Sequence, residues 1–134
     1  MKRYISASLI IFFLFPTYSN AAGPVQLLQG ECPTVNMQEL HSKRGLPSKA
    51  NALLPGLLAA NQDVKTWQIV SISHLKKTTP YYKSALKTCK KKVADHTYLI
   101  DVLVTKKSSQ LPVRLHLFAA RQENKWTIWG LSSY

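Results

Sequence analysis

Residues 98–131 have the sequence YLIDVLVTKKSSQLPVRLHLFAARQENKWTIWGL, and this stretch decides the fold. It contains three runs in which apolar and polar residues alternate, beginning near Tyr98, Leu111 and Trp126. A period of two is typical of strands that turn one face towards a core, and short polar connections separate the runs. The stretch therefore predicts a three-stranded antiparallel meander. Because the last run is apolar on both faces, its strand is expected to lie centrally or beneath a packing partner.

The sequence before this meander predicts a fourth strand and an N-terminal helix. Residues 66–73 are rich in β-branched and aromatic residues, which favours a strand. Ser48 is the predicted N-cap of the helix. Apolar residues with helical spacing follow it: Ala50, Leu53, Leu54, Leu57 and Leu58. Pro55 lies within this stripe and is expected to kink the helix or split it in two. A further short helix is expected from Thr34 to His41.

A second helix is predicted over residues 80–89. Thr79 is a suitable N-cap, and Pro80 is favoured at the first helical position. The spacing of Tyr82, Leu86 and Cys89 places all three on the buried face of this helix. An extended conformation of residues 84–92 is the alternative.

This order of elements predicts an α+β domain in which helices are grouped against one face of a curved antiparallel sheet of about four strands. Over residues 48–131 the chain resembles the cystatin-like and nuclear-transport-factor-like rolls, in element order and in the terminal strand KWTIWG at residues 125–130. That resemblance implies a helix wrapped by a curved sheet. Such rolls include enzymes, inhibitors and docking modules, so the resemblance assigns no function. Residues 48–134 are expected to form this domain, and residues 22–47 an irregular arm.

The first 21 residues have the three-part layout of a secretory signal peptide. Lys2 and Arg3 precede an apolar run over residues 5–15, and residues 19–21 offer a small-x-small cleavage site. An uncleaved anchor is the alternative, although the run is short for a bilayer span. The sequence therefore predicts an exported protein, secreted or periplasmic, without a transmembrane span after cleavage. In an oxidising compartment, Cys32 and Cys89 are expected to form a disulfide.

No motif points to a cofactor, a metal or an enzyme. The four His have no metal-ligand spacing, and neither a phosphate loop nor a nucleophile motif is present. The one arrangement that suggests proton transfer is Asp101 and His116 on neighbouring strands. A curled sheet would bring them, with Trp126 and Trp129, into a candidate pocket. The alternative is that Asp101 and His116 both face water.

The charge is the strongest clue to function, because 18 Lys and Arg against 6 Asp and Glu give a net charge of +12. Nine lysines make up the predicted anion- or partner-binding set: Lys76, Lys77, Lys83, Lys87, Lys90, Lys91, Lys92, Lys106 and Lys107. Lys83, Lys87 and Lys90 would form one stripe on the second helix. A stripe of this kind attracts polyanions or acidic proteins, although a merely solvated face is the alternative.

The leading hypothesis is a small exported, non-enzymatic binding module that acts at the cell envelope. Its basic face would dock an anionic envelope component or an acidic exported protein, and no nucleic acid is expected outside the cytoplasm. The second hypothesis is an inhibitor or accessory subunit of a wall hydrolase or secretion apparatus, which would dock through an apolar surface of Trp67, Trp126 and Trp129. The third is a small-molecule enzyme with a pocket inside the roll.

Overall fold

The structure is a computed structural model that describes residues 24–35 and 43–133. Within these ranges the elements follow in the order β1 (Gln26–Leu27), α1 (Leu46–Ala59), β2 (Val64–His74), α2 (Pro80–Asp95), β3 (Tyr98–Lys106), β4 (Val113–Gln122) and β5 (Lys125–Ser133). The strands form one antiparallel sheet in the order β1-β5-β4-β3-β2. The α+β class is confirmed, but the sheet has five strands instead of about four.

The additional strand comes from the arm that was expected to be irregular. Gln26 pairs with Leu131 and Leu27 with Gly130. A Cβ atom at Gly130 would lie 2.6 Å from Val25 Cγ1, so a larger residue there would push the arm away from β5. A glycine is thus what lets the arm lie on the sheet, and residues 24–35 belong to the folded domain.

The two helices cover opposite faces of the sheet. The α1 layer contains the buried residues Leu46, Ala50, Leu54, Tyr98, Ile100, Val102, Val104, Leu115, Leu117, Ala119, Trp126 and Ile128. The α2 layer contains Val35, Leu75, Tyr82, Ala85, Cys89, Val93, Ala94, Phe118, Ala120 and Trp129. Because successive strand residues point to opposite faces, these are two separate cores. The expectation that the helices group on one face is therefore wrong, and β5 is apolar on both faces because both are covered.

Helix α1 begins earlier than predicted and continues through its proline. Gly45 is the N-cap, with a φ of 82° that favours glycine, and Pro47 occupies the first turn. Ser48 is therefore not the cap, and the expected domain boundary at residue 48 falls inside the helix. Pro55 lies inside the continuous helix, which is not split. The apolar stripe predicted for this helix does face the sheet.

Residues 80–95 are helical, so the extended alternative for residues 84–92 is wrong. The helix is interrupted at Lys90, whose φ of 67° and ψ of 176° are not helical. An unbroken helix would place the Cα atoms of Tyr82 and Asp95 about 20 Å apart. Tyr82 Oη nevertheless donates a hydrogen bond to Asp95 Oδ1 over 2.5 Å. The interruption at Lys90 therefore turns the last part of α2 back towards its start.

Two sequence predictions lie outside the described residues. These are the signal peptide at residues 1–21 and the greater part of the short helix expected from Thr34 to His41. Among the described residues, no helix combines the length and the apolar character that crossing a membrane requires.

Candidate functional site

The outer side of α2 carries a cluster of exposed cations. Leu86 and Lys87 lie one helical turn after Lys83 on the same exposed side, and the exposed Lys90 follows where the helix breaks. These four residues are called the lysine face below. Leu86 is 39% exposed, so its predicted place on the buried face is wrong. The predicted burial of Tyr82 and Cys89 is confirmed, and Ala85 takes the place expected for Leu86. The buried residues of this helix are Tyr82, Ala85, Cys89, Val93 and Ala94.

The carboxylate on α2 does not neutralise the lysine face. Asp95 Oδ2 lies 3.2 Å from Lys91 Nζ, and Asp95 Oδ1 lies 3.6 Å from Lys77 Nζ. The hydrogen bond from Tyr82 is the main cause that holds the pKa of Asp95 below its ordinary value, and Lys91 and Lys77 add to it. In the described parts of the chain, no carboxylate lies within ion-pair distance of the lysine face. Its positive charges are therefore available to a ligand.

The nine predicted lysines do not form one surface. Seven of them lie on α2 or in the loop before it: Lys76, Lys77, Lys83, Lys87, Lys90, Lys91 and Lys92. Lys106 and Lys107 lie at the end of β3 that is remote from its junction with α2. There they help to lower the pKa of Asp63, although the main cause is the hydrogen bond that Ser108 Oγ donates to Asp63 Oδ2. The set thus divides into an α2 group and a β3 pair.

Asp101 and His116 do come together, beneath α2. They are direct partners on β3 and β4, and His116 Nε2 lies 3.5 Å from Asp101 Oδ1. Arg114 Nη1 donates a hydrogen bond to Asp101 Oδ2 over 2.6 Å. The ring of Tyr81 covers His116 with a centroid distance of 4.4 Å. Both Asp101 and His116 are buried, so the alternative that they face water is wrong.

Burial limits the chemistry of this pair. His116 is 3% exposed, and burial is the main cause that lowers its pKa, against the opposing charge of Asp101. A neutral imidazole beside a carboxylate could exchange a proton, but a substrate would reach it only if Tyr81 and α2 moved. The alternation along β4 predicted that His116 could meet Asp101, and it places Arg114 on the same face. Nothing in the sequence indicated Tyr81.

The two tryptophans of the predicted pocket lie on opposite faces of the sheet. Trp126 belongs to the α1 layer, where its Nε1–H donates to the carbonyl of Arg44 over 2.7 Å. Trp129 belongs to the α2 layer, and its Nε1–H donates to Thr97 Oγ1 over 3.3 Å. The four-residue pocket is therefore wrong. Trp126 is only 9% exposed and Trp129 only 1%, so they cannot supply an exposed docking surface with Trp67.

The predicted disulfide is confirmed. Cys32 and Cys89 are bonded, with their Cα atoms 5.5 Å apart, and this bond joins residues 24–35 to α2. Among the described residues, no group of three or more His, Cys, Asp or Glu is placed to hold a metal ion. No protein-family model, curated protein or solved structure matches the chain. The resemblance to the cystatin-like and nuclear-transport-factor-like rolls accordingly stays a prediction.

Proposed function

We propose that this protein is a small exported, non-enzymatic binding module that docks an anionic component of the cell envelope through the lysine face. The observation that carries the proposal is that Lys83 and Lys87 are exposed one turn apart on α2, with the exposed Lys90 at its interruption, and that none of the three has an ion-pair partner among the described carboxylates. The disulfide is compatible with an oxidising compartment outside the cytoplasm.

The chemistry of the face suits a flexible polyanion or a lipid headgroup layer. Lysine ammonium groups act as mobile point charges, so they accept phosphate or carboxylate groups in many orientations. The disulfide and the contacts of Tyr82 and Asp95 hold α2 in place beneath them. Several charges on a fixed helix attract an extended anion more strongly than scattered ones do.

The other two hypotheses have less support. An inhibitor or accessory subunit was expected to use an exposed Trp surface, and the burial of Trp126 and Trp129 removes that argument. An enzyme needs a substrate to reach Asp101 and His116, which are both buried, with the ring of Tyr81 over His116. An acidic partner protein would use the same lysine face, so the test below distinguishes it.

The test is retention of the oxidised protein on isolated envelope material, at low salt and at roughly 0.5 M salt, where the screening length is about 4 Å. Retention is expected at low salt and loss at high salt. The double variant K83E/K87E is expected to lower the affinity at least about tenfold, because each lysine near an anionic surface contributes about 1 kcal/mol.

The matched control is K49E/K125E, which changes the net charge equally at two exposed lysines outside α2. The envelope material is expected to retain this control variant nearly as well as it retains the unaltered protein. Equal losses in both double variants would show a non-specific charge effect and overturn the proposal. Protease treatment of the envelope beforehand should leave retention unchanged, and loss of retention would identify an acidic protein as the partner instead.

A further inference from the structure

The two halves of α1 lie differently on the sheet. Before Pro55, Leu46, Ala50 and Leu54 are 0% exposed, although Leu53 beside them is only partly buried. Leu57 and Leu58, which follow Pro55, are only half-buried although they still face the α1 layer. The helix therefore leaves apolar surface uncovered near its C-terminal end.

A cleft of about 280 Å³ lies at this end of the helix. Leu57 and Leu58 form its helical wall, and Val104, Leu115 and Leu131 line it from the sheet. A second depression of about 470 Å³ shares Leu58 with the cleft and adjoins it. Ligand sites in proteins are typically concave and mostly apolar, with a few polar groups at defined positions.

Two cations line the cleft, Lys106 and Arg114, and Arg114 is already paired with Asp101. Lys106 occupies the same face of β3 as the buried Val104, two residues earlier. The adjoining depression is lined by Lys65 and Lys107. The nearby Asp63 carboxylate accepts hydrogen bonds from the backbone N–H and the hydroxyl of Ser108. It does not lie within ion-pair distance of Lys106.

We propose that this cleft binds a single-chain amphipathic carboxylate, with its alkyl chain between α1 and the sheet and its carboxylate at Lys106. The leucine and valine side chains of the cleft can bury an alkyl chain from water, and this burial leaves no polar group of the protein unpaired. The ammonium of Lys106, beside Lys65 and Lys107, selects an anionic head over a cationic one. This site is separate from the lysine face of α2 and does not depend on the function proposed for that face.

The test is calorimetric titration of the protein, with its disulfide formed, with decanoate below its micellar concentration. Saturable 1:1 binding of decanoate is expected, with no binding of decyltrimethylammonium. K106Q is expected to weaken decanoate about tenfold, as for the loss of one charge-assisted hydrogen bond, and K125Q to leave it unchanged.

Two matched tryptophan variants test the location. L57W fills the cleft and is expected to abolish binding, whereas L53W adds the same bulk one turn earlier, at a residue that does not line the cleft. Thermal unfolding of both variants checks that they fold. The proposal is overturned if decanoate does not bind, if L57W binds as tightly as L53W, or if K106Q has no effect. Unchanged binding by K83E/K87E is expected, and its loss would place the ligand on α2 instead.

Discussion

The two faces of the sheet are built by different means. On the α1 side, helix and strands meet through apolar side chains such as Leu54 and Ile100, both 0% exposed. On the α2 side, apolar packing is joined by a disulfide and by the buried Asp101 and His116. The α1 layer is thus held mainly by apolar packing, with the hydrogen bond of Trp126 at its edge, and it leaves a cleft at one end. The α2 layer is cross-linked and holds its helix in one place.

The largest expected effect comes from removing the cross-link. The C32A/C89A variant is expected to lose about 4 kcal/mol of unfolding free energy. The reason is that the disulfide joins two residues 57 positions apart in the sequence and so closes a long loop in the unfolded chain. Urea denaturation monitored by tryptophan fluorescence measures this loss. Limited proteolysis should in addition cut residues 24–35 before the rest of the domain unfolds.

The control on the other face is L54A. It removes a fully buried side chain of the α1 layer and is expected to cost about 3 kcal/mol without increased cleavage of residues 24–35. If C32A/C89A loses less than about 1 kcal/mol, or if both variants expose the arm equally, the α2 side is not distinguished by its cross-link.

A smaller effect of opposite sign is expected at Lys90. Its φ of 67° and ψ of 176° fall in a region that is essentially restricted to glycine. The K90G variant should therefore be more stable by about 1 kcal/mol, since the strain is relieved at the turn of α2. A matched K87G change lies within regular helix and should destabilise by about 1 kcal/mol. Urea midpoints of the two variants that shift in the same direction would contradict this account.

The smallest effect is a pH dependence that distinguishes the two faces. Burial lowers the pKa of His116 below its ordinary value of 6.5, so the unfolded chain binds more protons than the folded one below that pH. The unfolding free energy should therefore decrease as the pH falls from about 6.5 towards the lowered pKa. The carboxyls of Asp95 and Asp63, whose pKa values are lowered, would add losses only below their ordinary value of 3.8.

The H116N variant should flatten the decrease in the upper part of this range. Urea denaturation at a series of pH values between 7 and about 4.5 checks it. A H96N variant is the control, because His96 is only partly buried and lies at the end of α2. A slope unchanged in H116N would show that the buried imidazole is not the group that titrates.

The sequence predicted those features that depend on local periodicity. The alternation around Ile100 and Leu117 identified the meander, and the stripe around Leu54 identified the buried side of α1. The pairing of Cys32 with Cys89 followed from their number and the predicted export. Helical spacing does not state on which side of a sheet a helix packs, so the opposite placement of α1 and α2 was missed.

The parts of the candidate site that were missed depend on tertiary contacts. Leu86 was assigned to the buried face because its spacing from Tyr82 fits a helix. The side of α2 that packs on the sheet instead passes through Ala85, and Leu86 is exposed. The positive φ of Lys90 has no signature in a run of lysines. Strand β1 is only two residues long, and its place depends on the space above Gly130, which no local pattern reveals.

The pairing of Gln26 with Leu131 has a consequence for the order of assembly. Because a chain emerges from its N-terminus, residues 24–35 are available long before their partner strand exists. Cys89 becomes available earlier than β5, so the arm can be tethered covalently while the sheet edge is still missing. The pairing of β1 with β5 joins the ends of the described sheet that lie farthest apart in sequence, and contacts of such long range are expected to form late in folding.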